Sequence, residues 1–383
     1  MSEAKAAPGG TDGTVGDPYR VMVVDDSAVI RGLLTRSIEQ DPLIKVIASV
    51  GNGEQAIKAL DRHDVEVIIL DIEMPVMDGL TALPKLLETK PGVQVVMAST
   101  LTRKNAEVSL RALQAGAADY VTKPSSTSEL TSTDAFRREL TEKVKALAAA
   151  GRPSRGSAAT AKPGAAAPRV MSAGGPFANR PIVLRKFSST LPRAIAIGSS
   201  TGGPQALLEV LRDMAPSVKL PIVITQHMPA TFTTLLAEHI SRATGVPCAE
   251  GKDGEPVRSG QIYLAPGDFH MVLEREGTGA VIRLNQDPPE NFCRPAVDPM
   301  LRSMVKIYGS SLLTIILTGM GSDGQKGSAE IAEAGGTIIA QNEATSVVWG
   351  MPGAVATSGL CSAVLPIQEI GPSVRKLVMR SAA

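Results

Sequence analysis

Three residues far apart in the chain could together cleave an ester or amide. Ser200 is the middle residue of Gly198-Ser199-Ser200-Thr201-Gly202, a literal G-x-S-x-G that closes the apolar run RAIAI. Such an elbow turns a strand into a helix and exposes the serine hydroxyl. Taken alone, GSSTGGP is equally a nucleophile loop or an anion-binding loop ahead of a helix, although it has no Walker lysine and no G-x-G-x-x-G. His227 directly follows PIVITQ, and Asp323 follows LLTIILTGMGS. A lone histidine after a strand is more often structural. Three such residues, each past a predicted parallel strand, would gather at one sheet edge. They then fit serine acyl transfer: Ser200 attacks, His227 moves the proton, Asp323 orients the imidazole. Backbone N–H groups of Thr201, Gly202 or the glycine-flanked Met320 could receive the oxyanion. His63, in the polar run DRHD, and His239, on an amphipathic helix, read as structural, while His270 in APGDFHM could line a cleft.

A second set is acidic. VMVVDDS places Asp25 and Asp26 after one strand, and VIILDIEMPVMDG places Asp71 after another. Carboxylates that converge repel one another unless a cation lies among them. An all-oxygen set with open positions suits Mg2+. Lys123, in VTKP, adds a positive charge for a transferred phosphoryl group, and Ser99 adds a hydroxyl donor. Asp71 beside such a cation is a plausible nucleophile toward a phosphoryl donor. Any one of these aspartates could simply cap a helix; the ordered set points to chemistry.

The elements that must position these groups follow from periodicity. Apolar runs at 21–24, 44–50, 65–70, 93–98 and 119–122 alternate with helical patterns near 28–39, 53–61, 79–89, 104–115 and 133–149. That alternation predicts a doubly wound parallel sheet. Residues 1–18 are small and polar and are expected to be a disordered tail. Ala, Pro, Gly and Ser dominate 151–190, which is expected to be a flexible linker between a domain at 19–150 and another at 191–383. In the second, strands are expected at 193–197, 221–225, 312–317 and 337–340, with helices near 204–213, 231–242, 296–308 and 325–334. The piece 248–285 is expected to add β-hairpins to an α/β domain with a mainly parallel sheet; no element is assigned past 340.

Composition narrows the function classes. Hydrophobic residues make up 43% but aromatics only 3%, so the cores must be aliphatic. A formal net charge of +1 gives no global case for nucleic acid or an anionic membrane. The three scattered cysteines suggest neither a disulfide framework nor a zinc site, as in a reducing cytoplasm. The start of the sequence is polar and Gly-rich, so a signal peptide is not expected, and no apolar run approaches about 20 residues.

Residues 19–150 resemble a response-regulator receiver domain, on DD, D-x-x-M-P-x-M-D-G, the strand-end serine and K-P. The resemblance implies a flavodoxin-like sheet and phosphorylation of Asp71 by a histidine kinase. It implies Mg2+ held by Asp26, Asp71 and the Glu73 backbone carbonyl, with Asp25 acting through water. Ser99 matches the switch hydroxyl, with Thr100 beside it as the alternative, and Tyr120 matches the switch aromatic. Residues 192–380 resemble the catalytic domain of the chemotaxis protein-glutamate methylesterase family, CheB, on IGSSTGGP, ITQHMP, YLAPGDFHM, CRPAVD, ILTGMGSDG and AQNEATSVVWGMP. Ser200, His227 and Asp323 fall on that family's triad and Met320 on a backbone oxyanion contributor. Ser199 departs from an expected Ala, and Ser322 stands where Asn also occurs. The family implies hydrolysis of glutamate γ-methyl esters, releasing methanol, and deamidation of particular receptor glutamines. Its implied partners are a chemotaxis histidine kinase as phosphodonor and methyl-accepting chemoreceptors as substrate. No nucleic acid, no membrane insertion and no cofactor for the esterase are expected; a cytoplasmic monomer recruited to receptor arrays is. The unphosphorylated receiver should pack over the esterase cleft. The competing expectations are a non-enzymatic receiver adaptor, a DNA-binding regulator, and a hydrolase of the same fold acting on another protein.

Overall fold

A computed structural model describes residues 17–100, 102–123, 134–152 and 180–379; most of the expected tail and linker lies outside them. Strands β1 (Tyr19–Val24), β2 (Ile44–Val50), β3 (Val67–Asp71), β4 (Gln94–Thr100) and β5 (Asp119–Lys123) form a parallel sheet in the order β2-β1-β3-β4-β5. Helices α1 (Ala28–Ile38), α2 (Gly53–Leu60), α3 (Gly79–Thr89), α4 (Arg103–Gln114) and α5 (Asp134–Gly151) flank it. Its strands are continuous apolar runs because both sheet faces are covered: Ile68, Ile69 and Leu70 are all buried. Polar side chains cap the helices that follow, including Ser27, Asn52, Asp78 and Thr102. Capping thus falls to Asp78, not to Asp25, Asp26 or Asp71.

The second domain has β6 (Ala194–Ser199), β7 (Ile222–Gln226), β8 (Cys248–Glu250), β9 (Ile262–Leu264), β12 (Leu312–Ile316), β13 (Thr337–Gln341) and β14 (Ala363–Leu365), ordered β14-β13-β12-β6-β7-β9-β8 with parallel pairings. Around them lie α6 (Gly203–Met214), α7 (Ala230–Thr244), α8 (Val297–Tyr308), α9 (Gln325–Glu333), α10 (Met351–Thr357) and α11 (Ile367–Met379). Only β10 (His270–Glu276) and β11 (Gly279–Asn285) make the expected hairpin. The run QIYLAP instead joins the main sheet, since Ile262, Tyr263 and Leu264 are buried on both faces. Residues ahead of the expected boundary also belong to this domain: Arg185 N–H donates to the Cys361 carbonyl at 2.8 Å and Ser188 N–H to Thr337 Oγ1 at 3.1 Å.

The two domains touch at the carboxyl edge of the second sheet. Tyr120 stacks on Phe232 of α7 with ring centroids 4.2 Å apart. One apolar cluster joins Leu110, Leu113 and Tyr120 to Phe232 and Leu236, and another joins Phe136 and Leu140 to Val348.

Candidate functional sites

The strand order places Ser200, His227 and Asp323 at one edge of the sheet. β6 lies between β7 and β12, so Ser200 after β6, His227 after β7 and Asp323 beyond β12 come from adjacent strands. Gln226 ties the first two: its Nε2 donates to the carbonyls of Ser200 at 2.9 Å and His227 at 3.2 Å. Ser199, the departure from alanine, donates its hydroxyl to Gln226 Oε1 at 2.7 Å and so fixes that amide. The elbow needs its glycines. Gly202 has φ +73°, and a Cβ on Gly203 would lie 2.0 Å from Gln226 Oε1.

His227 Nε2 pairs with Asp323 Oδ2 at 2.7 Å, and the other ring nitrogen, Nδ1, faces Cys293 Sγ at 3.4 Å. Asp323 is buried and saturated. Its Oδ2 also accepts from Val297 N–H at 2.6 Å, and its Oδ1 accepts from Asp298 N–H at 3.0 Å, Gly324 N–H at 2.9 Å and Asn291 Nδ2 at 3.0 Å. Burial alone would raise the Asp323 pKa, but the His227 bond and the backbone donors bring it below the ordinary carboxylate value. The buried carboxyl of Asp298 goes the other way. Burial and the Asp323 charge lift it to about 6, while Gly327 N–H at 2.7 Å and Asn291 hold it in place. For His227, burial disfavours the cation, yet the Cys293 sulfur and Asp323 outweigh it and raise the imidazole to about 10.

The N–H groups of Thr201 and Met320 make no backbone hydrogen bond among the described residues. The Thr201 hydroxyl, beside Ser200, donates to Asp119 Oδ2 of the receiver at 2.6 Å. Gln205 Nε2 donates to the Leu113 and Ala117 carbonyls, both at 2.9 Å. His270 lines a cavity with Arg275, Glu290 and Arg302, as expected, although its own side chain is almost fully covered. It is buried, with Nδ1 accepting from Ala296 N–H and Nε2 facing the Pro288 carbonyl, both at 3.2 Å. Asn291, Cys293, Asp298 and Gln226 receive no role from the sequence alone, although CRPAVD and ITQHMP contain the last three.

In the receiver, Asp25, Asp26 and Asp71 each offer a carboxylate oxygen within 4.8 Å of the others. Lys123 Nζ bridges two of them, 2.5 Å from Asp25 Oδ2 and 2.6 Å from Asp71 Oδ1. Burial raises the Asp71 pKa more than Lys123 lowers it, and Asp25 adds to the rise. Three carboxylates against one ammonium leave room for a divalent cation in charge terms. The Glu73 side chain points away, toward Lys104 Nζ at 3.2 Å. Ser99 is buried and its Oγ lies 3.1 Å from Ser109 Oγ, whereas Thr100 is exposed and accepts from Asn105 Nδ2 at 2.8 Å. Tyr120 is buried against Phe232, and burial drives its pKa well above the ordinary value.

Both parts of the chain are similar to known proteins. A family model described as CheB methylesterase matches residues 195–374, and one described as response regulator receiver domain matches residues 21–133. A protein-glutamate methylesterase/protein-glutamine glutaminase of group 2 operon from Rhodospirillum centenum is 59% identical over 382 residues, covering 96% of each chain. Another protein with that enzyme name, from Rhodospirillum rubrum, is 58% identical over 383 residues and covers 97% of each. The crystal structure of the Thermotoga maritima CheB methylesterase catalytic domain is 39% identical, with a TM-score of 0.48, covering 49% of this chain and 100% of that one.

Proposed function

As the chain belongs to the CheB family of methylesterases with a response-regulator receiver domain, we propose that it is a phosphorylation-activated serine hydrolase. Its reactions are demethylation of glutamate γ-methyl esters on chemoreceptors and deamidation of particular receptor glutamines, for chemotactic adaptation. The observation that carries this reading is the 2.7 Å His227–Asp323 pair beside the G-x-S-x-G elbow, with the receiver's Asp119 bonded to the elbow itself.

Ser200 Oγ attacks the ester carbonyl carbon, and its proton passes to His227 Nδ1. That nitrogen is the basic one because Nε2–H is committed to Asp323. The oxyanion is received by Thr201 and Met320 N–H groups. His227 then protonates the departing methanol oxygen, and a water activated by the same nitrogen releases the glutamate. The chemistry needs no metal at this site.

At the other site, Asp71 is the phospho-acceptor toward a histidine-kinase phosphodonor. Asp26, Asp71 and the Glu73 carbonyl are the groups that would hold Mg2+, with Asp25 reaching it through water; the ion supplies charge neutralisation for phosphoryl transfer. Lys123 pairs with the incoming phosphoryl group, Ser99 is the switch hydroxyl and Tyr120 the switch aromatic. Movement at Tyr120 would unstack Phe232, and the adjacent Asp119 would release Thr201, shifting the chain toward open forms. The protein works in the cytoplasm as a monomer. Among the described residues no helix is long and apolar enough to cross a membrane. The test is methanol release from methyl-labelled receptors in the presence of a phosphodonor. Ser200-dependent release is expected; release that survives Ser200→Ala would overturn the assignment.

A further inference from the structure

Both ring nitrogens of His227 are taken in this structure: Nε2 by Asp323 and Nδ1 by Cys293 Sγ at 3.4 Å. We infer that Cys293 restrains the base, occupying Nδ1 until the Ser200 hydroxyl displaces it; this rests on the assignment of Ser200 as nucleophile and His227 as base.

Cys293 is delivered by a built turn. Cys293 N–H donates to the Glu290 carbonyl at 2.9 Å, and Glu290 N–H to the Cys293 carbonyl at 3.2 Å. Between them Asn291 and Phe292 both have positive φ, +52° and +64°, as in tight hairpin turns with two left-handed central residues. The turn is staked at both feet. Glu290 Oε2 accepts from Arg302 at 3.0 Å, and Asp268 Oδ1 accepts from Arg294 at 2.6 Å. Asn291 points inward, its amide reaching both Asp323 and Asp298. Phe292 points outward, with the receiver's Arg138 guanidinium 4.7 Å from its ring centroid. One four-residue turn therefore contacts the acid, the base and the receiver.

The chemistry is a competition for one lone pair. A thiol is a weak donor, so it orients Nδ1 yet can be displaced by a hydroxyl. If the proton crosses from sulfur to Nδ1, the pair becomes thiolate and imidazolium, which cannot accept the Ser200 proton. Its return to sulfur restores the neutral base, which can then take the Ser200 proton as the Oγ–C bond forms. The titratable groups around the ring are Asp323 on Nε2, Asp298 behind that carboxylate, and the Cys293 thiol.

The experiment follows methanol release from methyl-labelled receptors by the full chain with acetyl phosphate, across pH, for wild type, Cys293→Ala, Cys293→Ser and Ser200→Ala. Cys293→Ala should raise kcat about fivefold at pH 7, the value of one modest hydrogen bond. KM should not change, and the acid limb of the profile should move to lower pH. Cys293→Ser should stay slower than Cys293→Ala, because a hydroxyl binds Nδ1 more firmly than a thiol. A slower Cys293→Ala chain that serine restores, with an unmoved acid limb, would make Cys293 a packing residue and overturn the inference. Unchanged rates and limb in both variants would also overturn it. Ser200→Ala separates the two levels: full activity there removes the nucleophile assignment, and this inference falls with it.

Discussion

Both sites sit at the carboxyl ends of parallel strands, yet they handle buried charge in opposite ways. The receiver pocket concentrates three carboxylates around a single lysine, leaving an excess of negative charge. The hydrolytic site surrounds Asp323 with four amide donors and an imidazole. The first arrangement carries negative charge that a cation could balance, which suits a site whose charge changes. The second is saturated, which suits a site whose geometry must stay fixed. The hydrolytic site also meets the receiver, since Asp119 and Tyr120, at the start of a receiver strand, contact the elbow and Phe232.

That contrast orders the predictions. Asp323→Asn should lower kcat for methanol release by about 10³–10⁴-fold with little change in KM, because the imidazole loses the charge that stabilises its cation. A loss below tenfold would show that the saturated carboxylate is structural only. Asp71→Ala should abolish stimulation by a phosphodonor while leaving the unstimulated rate in place. Persistent stimulation would break the distinction between a changing and a fixed site. A fragment starting at residue 180, which keeps the Arg185 and Ser188 contacts, should exceed the unphosphorylated full chain about tenfold, as expected when a docked domain is removed (about 1.4 kcal/mol per factor of ten). The smallest effect concerns pH. His227 must be neutral to accept a proton and is held above its ordinary 6.5. A base is lost to protonation below its pKa, so activity should fall on the acid side with a midpoint above pH 6.5. A midpoint at or below that value would mean the Cys293 and Asp323 contacts do not act on the base.

The same contrast explains what the sequence made legible. The acidic pocket could be read almost whole, because Asp25, Asp71, Ser99 and Lys123 all end or directly follow apolar runs. Ser200 and His227 were equally accessible, and Asp323 lies one loop past its strand. Asn291 and Cys293 were not, because a turn built on two positive-φ residues has no periodicity to detect. Strands β8 and β9 have three residues each, too short for alternation to register, so periodicity alone does not separate them from hairpin strands. Helix α11 was hidden by Gly371-Pro372. The structure gives that glycine a reason: a Cβ there would meet Asp213 Oδ2 at 2.2 Å where α11 crosses α6.

On the proposed function, the receiver restrains the hydrolase through its contact with the elbow. This restraint is tested most directly by the unstimulated methanol-release rate of the full chain carrying Asp119→Ala, compared with wild type before and after phosphodonor. Loss of the 2.6 Å bond to Thr201 should raise the unstimulated rate about three- to tenfold, the net effect of one ordinary hydrogen bond (about 1 kcal/mol), and shrink the further stimulation by the same factor. An unstimulated rate equal to wild type, with full stimulation retained, would contradict the account.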